Sequence, residues 1–231
     1  MNKLAIFVEG YTEVVFVERL IEELAGKNHV LIQRRVIRGG SNANRTFRHV
    51  DGVKIPTVQR YYVLIVDCGG DALVKTRIVE EHENLTKSGY SKIIGIRDVR
   101  PDFTREQIPR LEAELPRRIR TALIPVEIYL AVMEVEAWFL AEATHYPRID
   151  PAITVPAIRA TLAFDPEVDD MGLRATPAID LDNCYSIGGK QYKKGSEDTP
   201  NALDFAHIYM TLPLKFIHFS RLIASIDAFL S

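Results

Sequence analysis

Leu4-Ala5-Ile6-Phe7-Val8-Glu9-Gly10-Tyr11-Thr12-Glu13 is the stretch on which the reading of this chain turns. Five apolar residues in a row, without polar alternation, mark a strand covered on both faces, as strands of parallel sheets are. Glu9 ends the run and Gly10 punctuates it. Apolar residues then recur at Val14, Val17, Leu20, Ile21 and Leu24, one face of a helix, until Gly26 supplies a C-terminal stop. A buried strand followed at once by an amphipathic helix opens a β–α unit.

Downstream the same unit recurs. A second strand is expected over 30–37, ahead of the loop signal Gly39-Gly40-Ser41-Asn42. A third covers 61–66, ends on Asp67, and precedes a helix over 72–87 that Gly89 breaks. A fourth covers 92–96 and ends on Arg97-Asp98. Thr104 and Gln107 have capping-box spacing, with Pro109 and Pro116 as breakers behind them. A fifth strand over 126–133 leads into a helix that begins near Glu134-Val135-Glu136-Ala137-Trp138. Strands separated by helices of this length imply an α/β fold, a mostly parallel Rossmann-like sheet flanked by helices. Over 147–195 the pattern fails, because prolines interrupt short helical pieces and no strand stands out. That stretch reads as a helical insertion or a lid. Helical periodicity returns over 202–230 as a C-terminal helical extension. The expected organisation is an α/β domain over 1–146 and a helical insertion and C-terminal region over 147–231, packed on the same core.

The bulk composition narrows the function. With 47% hydrophobic and 26% charged residues in 231, the chain is ordinary globular protein. No signal-peptide pattern precedes the first strand, and no apolar run reaches the roughly 20 residues needed to span a bilayer. Cys68 and Cys184 have no pairing pattern, so a cytoplasmic location without membrane attachment is expected. A net charge of -2 excludes a globally basic nucleic-acid binder. Basic residues nevertheless cluster at Arg34, Arg35, Arg38, Arg45 and Arg48, at Arg110, Arg117, Arg118 and Arg120, and at Lys190, Lys193 and Lys194. Each cluster reads as a solvated face or as a surface for a phosphate-rich ligand.

Four expected strands end in acids: Glu9, Asp67, Asp98 and Glu134, with Glu136 just beyond. A parallel sheet brings its carboxyl ends to one edge, where open α/β folds place their sites. Glu13 and Asp71 fall in first helical turns, where an acid also has a plain structural use against the helix dipole. Carboxylates packed together repel, and a divalent cation is the usual compensation. The donors are all oxygen, which favours Mg²⁺ (or Mn²⁺). The six histidines show no metal-binding spacing, and neither a P-loop nor GxGxxG occurs.

Val8-Glu9-Gly10-Tyr11-Thr12-Glu13 resembles the opening motif of TOPRIM domains, in the VEGxTE form found in OLD-family nucleases and related phage-defence proteins. The resemblance continues through Gly39-Gly40-Ser41-Asn42 and Val66-Asp67-Cys68-Gly69-Gly70-Asp71. More loosely it extends to Glu134-Val135-Glu136-Ala137-Trp138-Phe139-Leu140 and Tyr192-Lys193-Lys194, which are similar to stand-alone TOPRIM-like proteins that pair with ABC-type ATPases. It implies a TOPRIM-like sheet and a metal-dependent phosphodiesterase, a nuclease, acting on nucleic acid in a bacterial anti-phage or restriction system. By the same resemblance Glu9, Glu13 and Asp67 are catalytic candidates, joined by Lys194, and the candidate metal ligands are Glu9, Glu13 and Asp67 with Asp71 and Asp98 added from their places at a helix start and a strand end. Arg97, Lys193 and Lys194 are the candidates for contacting substrate. Implied partners are nucleic acid and an ABC-type ATPase, and self-association into a homo-oligomer stays open.

The chain departs from the family's DxD, since position 69 is Gly69 and the next acid is Asp71. A second ligand then comes from Asp71 or Asp98, or the site holds one metal. The alternative function is a catalytically inactive TOPRIM-fold module that engages a partner ATPase. Phosphoryl transfer of receiver or haloacid-dehalogenase type fits worse, because the acidic pair after the first strand and DxDxT are both absent.

Overall fold

Leu4 through Val8 are fully buried, and their place in the sheet explains it. The computed structural model describes residues 1–40, 43–50, 59–70 and 73–231. Its strands are β1 (Asn2–Val8), β2 (Val30–Gly40), β3 (Ala43–Val50), β4 (Tyr61–Asp67), β5 (Lys92–Asp98) and β6 (Val126–Ala131). They form one sheet in the order β3-β2-β4-β1-β5-β6. The strand that comes first in sequence is therefore interior, with β4 and β5 as parallel neighbours. β2 joins β4 and β6 joins β5, also in parallel, while β3 runs antiparallel at the edge. The mostly parallel α/β sheet expected from the sequence is the fold observed.

Helices cover both faces. They are α1 (Tyr11–Ala25), α2 (Leu73–Lys87), α3 (Ile108–Glu114), α4 (Glu136–Ala141), α5 (Tyr146–Ile149), α6 (Val155–Leu162), α7 (Pro177–Ser186), α8 (Asp198–Ala202), α9 (Phe205–Lys215) and α10 (Ile217–Leu230). On one face, Val74, Ile78 and Leu85 of α2 close over Ala5, Phe7, Leu64 and Val66. On the other, α1 packs with α4, α9 and α10. Phe16 of α1 lies 5.9 Å from Trp138 and 5.5 Å from Phe205, and Trp138 meets Phe219 edge-on at 4.8 Å. Residues from before and after position 147 thus share this core.

Several boundaries differ from expectation for physical reasons. β3 carries no apolar run because it is an edge strand, with Thr46 and Arg48 exposed, and so its sequence reads as polar loop. Ser41 and Asn42 lie outside the described residues. The last strand ends at Ala131, and Met133 then adopts a left-handed φ of 66° that turns the chain before α4. The capping box forms, with the Thr104 N–H donating to Gln107 Oε1 at 2.9 Å. Described residues within 147–195 form short helices and no strand. No helix among the described residues is long and apolar enough to cross a membrane.

Register places the acids. Asp67 pairs level with Val8 across β1 and β4, and Gly95, three residues before Asp98, pairs with Phe7 across β1 and β5. Glu9, Asp67 and Asp98 therefore share the carboxyl edge around β1. From β1 the chain crosses to β2 on one side, and it later fills β5 and β6 on the other. That reversal is where an open α/β sheet leaves a crevice.

Candidate functional site

The edge carries a group of buried acids. Glu9, Glu13, Asp67, Asp98 and Glu136 are each no more than 4% exposed. Glu9 Oε1 accepts the Asp98 backbone N–H at 3.0 Å, which ties the end of β1 to the end of β5. Asp98 Oδ1 in turn accepts the Val135 N–H at 3.0 Å, fixing the turn into α4. That turn separates two acids that lie close in sequence. Glu134 caps the start of α7 through the Ala178 N–H at 3.0 Å, while Glu136 accepts the Tyr192 hydroxyl at 2.6 Å.

Glu13 stands differently. Both of its carboxylate oxygens are buried without a hydrogen-bond partner among the described residues, as is Glu136 Oε2. Burial, then the Glu136 carboxylate, push the Glu13 pKa up to about 7, with Lys194 pulling the other way. Asp98 is raised well above the ordinary carboxylate range by burial and then by Glu13, Glu9 and Glu136. Glu136 is raised by burial, which Lys194 and the Tyr192 hydroxyl only partly offset.

Two cations answer this charge. Lys194 Nζ is 3.7 Å from Asp98 Oδ2 and 3.8 Å from Glu136 Oε1. Burial works against its charge, but Glu136, Asp98 and Glu13 outweigh it and raise the pKa. Arg38 forks onto Asp67, with Nη1 and Nη2 each donating to one carboxylate oxygen at 2.9 Å. Gly69 makes room for that fork. At its φ of 79° a Cβ would meet Arg38 Nη1 at 2.6 Å and the Ile37 carbonyl at 3.0 Å. An acid at 69, where the resemblance expects one, would have to displace the Arg38 guanidinium from Asp67 and adopt a left-handed backbone.

A strap from the C-terminal half closes one side of the edge. The Tyr192 N–H donates to Asp182 Oδ1 at 2.8 Å, and the Gly195 N–H donates to Thr12 Oγ1 at 2.6 Å. The Tyr11 hydroxyl also bonds Glu197. What remains is a cleft of about 310 Å³ lined by Glu9, Glu13, Arg38, Asp67, Lys194 and the glycines around them.

No protein-family model, curated protein or solved structure matches this chain. What the site does must be read from its own residues.

Of the residues singled out in the sequence, Glu9, Glu13, Asp67 and Lys194 line this cleft, and Asp98 joins them through Glu9 and Lys194. Asp71 lies outside the described residues. Arg97 is elsewhere, with its guanidinium 5.2 Å from the Phe103 ring and 3.0 Å from Asp102. Lys193 lines a neighbouring cleft instead. The first basic cluster is largely neutralised, since Arg34 pairs with Glu18, Arg35 with Glu81 and Arg38 with Asp67. Arg38, Thr12 and Tyr192 are the site residues that strand-end reasoning left out, and Glu136, noted there just beyond Glu134, was not among the candidate ligands. Glu136 carried a signal, as an acid in the first turn of a helix beside a strand end. Cys68 is fully buried and its thiol is pushed up by burial, so it is a core residue rather than a nucleophile.

The donor set fits a hard divalent cation in chemistry, because all candidate ligands are carboxylates and three of their buried oxygens lack partners. Glu13 and Glu136 supply those oxygens, with Glu9 and Asp98 beside them. No three described His, Cys, Asp or Glu side chains stand ready to hold one ion. In this arrangement Lys194 and Arg38 supply the positive charge.

Proposed function

We propose that this protein is a Mg²⁺- or Mn²⁺-dependent phosphodiesterase that cuts nucleic acid at the acidic cleft, in the manner of the phage-defence nucleases its opening motif resembles. The observation that carries the reading is Glu13: a buried carboxylate with two unsatisfied oxygens, facing other buried carboxylates at the switch point of the sheet. Leaving such a group unpaired is costly, and sites built for catalysis are where such costs concentrate. A cation bound there supplies Lewis-acid stabilisation of the charge that develops on a transferring phosphate. Burial and Glu136 raise the Glu13 pKa to about 7 while no cation is bound, and a cation in the cleft would offset that and hold Glu13 in its ionised, ligating form. Glu9 accepts the Asp98 N–H with one oxygen, and its negative charge, which Gln would lack, makes it a ligand for the cation. Lys194, half-exposed beside Asp98, is positioned to turn from the carboxylates to the phosphate.

A second reading is supported by the same two cations. Arg38 and Lys194 already compensate part of the acidic charge, as a catalytically inactive module that engages a partner ATPase would require.

Cleavage of single- and double-stranded DNA and RNA, with Mg²⁺ or Mn²⁺ and with or without an ABC-type ATPase, separates the two. The expected result is metal-dependent cleavage that Glu9→Gln abolishes, while the melting temperature without metal is unchanged or higher. A Glu9→Gln variant that cuts at the wild-type rate removes Glu9 from the mechanism. A wild type that neither cuts nor takes up Mn²⁺ in titration calorimetry leaves the binding module.

A further inference from the structure

On the far side of the strap lies a second cleft of about 780 Å³, within the roughly 300–1,000 Å³ span of ligand sites. Its described lining carries three bases, Arg148, Lys190 and Lys193, against one acid, Asp198. Asp198 is engaged by the Ser196 hydroxyl at 2.8 Å. Arg148 is held in place by the Ala202 carbonyl at 2.6 Å and Asp204 at 3.2 Å. Lys190 is 3.8 Å from Asp150, while the Lys193 ammonium has no partner among the described residues. The strap contributes to both clefts, and successive residues line each of them: Lys193 the basic cleft, Lys194 the acidic one. The strap is anchored on both sides of these lysines, by Tyr192 to Glu136 and by Gly195 to Thr12. Its two faces are therefore held at a constant offset.

We propose that the basic cleft binds the phosphate backbone flanking the scissile bond of a nucleic-acid strand. The strand crosses the strap at Lys193-Lys194 to reach the acidic cleft. This rests on the nucleic-acid reading of that cleft. A ligand that satisfies a basic cleft and, one residue along, an acidic cleft suited to a cation is one that carries several phosphates in series. A lone phosphate meets only one of the two.

The test is fluorescence anisotropy with a labelled oligonucleotide of about 12 nucleotides, DNA and RNA, in EDTA so that neither metal nor cleavage contributes. The Lys190→Glu/Lys193→Glu double variant is expected to bind about 10-fold or more weakly, with a salt dependence flatter by about one to two phosphate contacts. Lys87→Glu, on the opposite face of the sheet, serves as the charge control and is expected to change affinity less than about 2-fold. A nucleoside monophosphate is expected to compete at least about 100-fold less well than the oligonucleotide. Wild-type affinity in the double variant overturns the proposal and leaves the phosphodiesterase reading intact. Equal competition by the monophosphate overturns the backbone track in favour of a mononucleotide site. An oligonucleotide that does not bind at all also overturns it, while Mn²⁺ uptake, measured separately, still decides the reading of the acidic cleft.

Discussion

Glu13→Gln should make the metal-free protein more stable at pH 8 and leave it nearly unchanged at pH 4.5. Unfolded, the Glu13 carboxyl titrates at 4.5, and in the fold burial and Glu136 raise it to about 7. Between those values the folded chain keeps a proton that the unfolded chain releases. Stability is therefore fully supported below pH 4.5 and falls as pH rises toward 7, after which the loss is complete. At about 1.4 kcal/mol per pH unit the ceiling on that loss is about 3 kcal/mol. Gln is neutral throughout and nearly the same shape, so it recovers about 1–3 kcal/mol above pH 7. For a chain of this size that is roughly 2–12 °C in melting temperature. Urea unfolding followed by fluorescence of the buried Trp138, in EDTA, at pH 4.5, 6 and 8, gives the wild-type and variant curves directly. The gap between them should open across that interval. A gap of the same size at every pH would show that Glu13 does not change ionisation there, and would refute the account of a cleft burdened by buried charge. Mn²⁺ at about 100 times its Kd should restore roughly 3 kcal/mol to the wild type at pH 8, and the variant should gain much less.

Gly69→Ala should cost about 1–2 kcal/mol from the left-handed backbone alone, and more because the new methyl meets the Arg38 guanidinium; thermal melting checks it, and a loss below about 0.5 kcal/mol refutes the close approach. Tyr192→Phe removes the hydroxyl that serves Glu136, so stability without metal should fall by about 1 kcal/mol. Proteolysis of the 190–197 segment should also quicken in that variant; an unchanged cleavage rate would mean that the strap is held without that bond.

The strands were legible because burial on both faces leaves no alternative to unbroken apolar runs, as at Leu4–Val8 and Val63–Val66. Their terminal acids were legible for the same reason: the first polar residue after such a run marks where the core stops. Glu136 and Glu134 could not be assigned that way. Their opposite fates depend on the left-handed turn at Met133, which no periodicity announces. Arg38 was read as part of a basic cluster, and only pairing of β2 beside β4 puts it on Asp67. β3 escaped notice because an exposed edge strand needs no apolar face. The Lys194 contact joins positions 194 and 98 through a strap whose own sequence is irregular, and long-range closures of that kind leave no local trace.

The interior place of β1 sets a timetable for synthesis. β1 precedes the other strands of the sheet in synthesis, yet its two neighbours, β4 and β5, begin only at Tyr61 and Lys92. At about 5–20 residues per second, roughly 5–18 s pass before the second neighbour exists. Until β4 is made Leu4–Val8 has two bare edges, and until β5 is made it still has one. Closure of the sheet around β1 must therefore wait for β5, and the yield of folded chain should depend on translation speed between the codons for Val30 and Asp98.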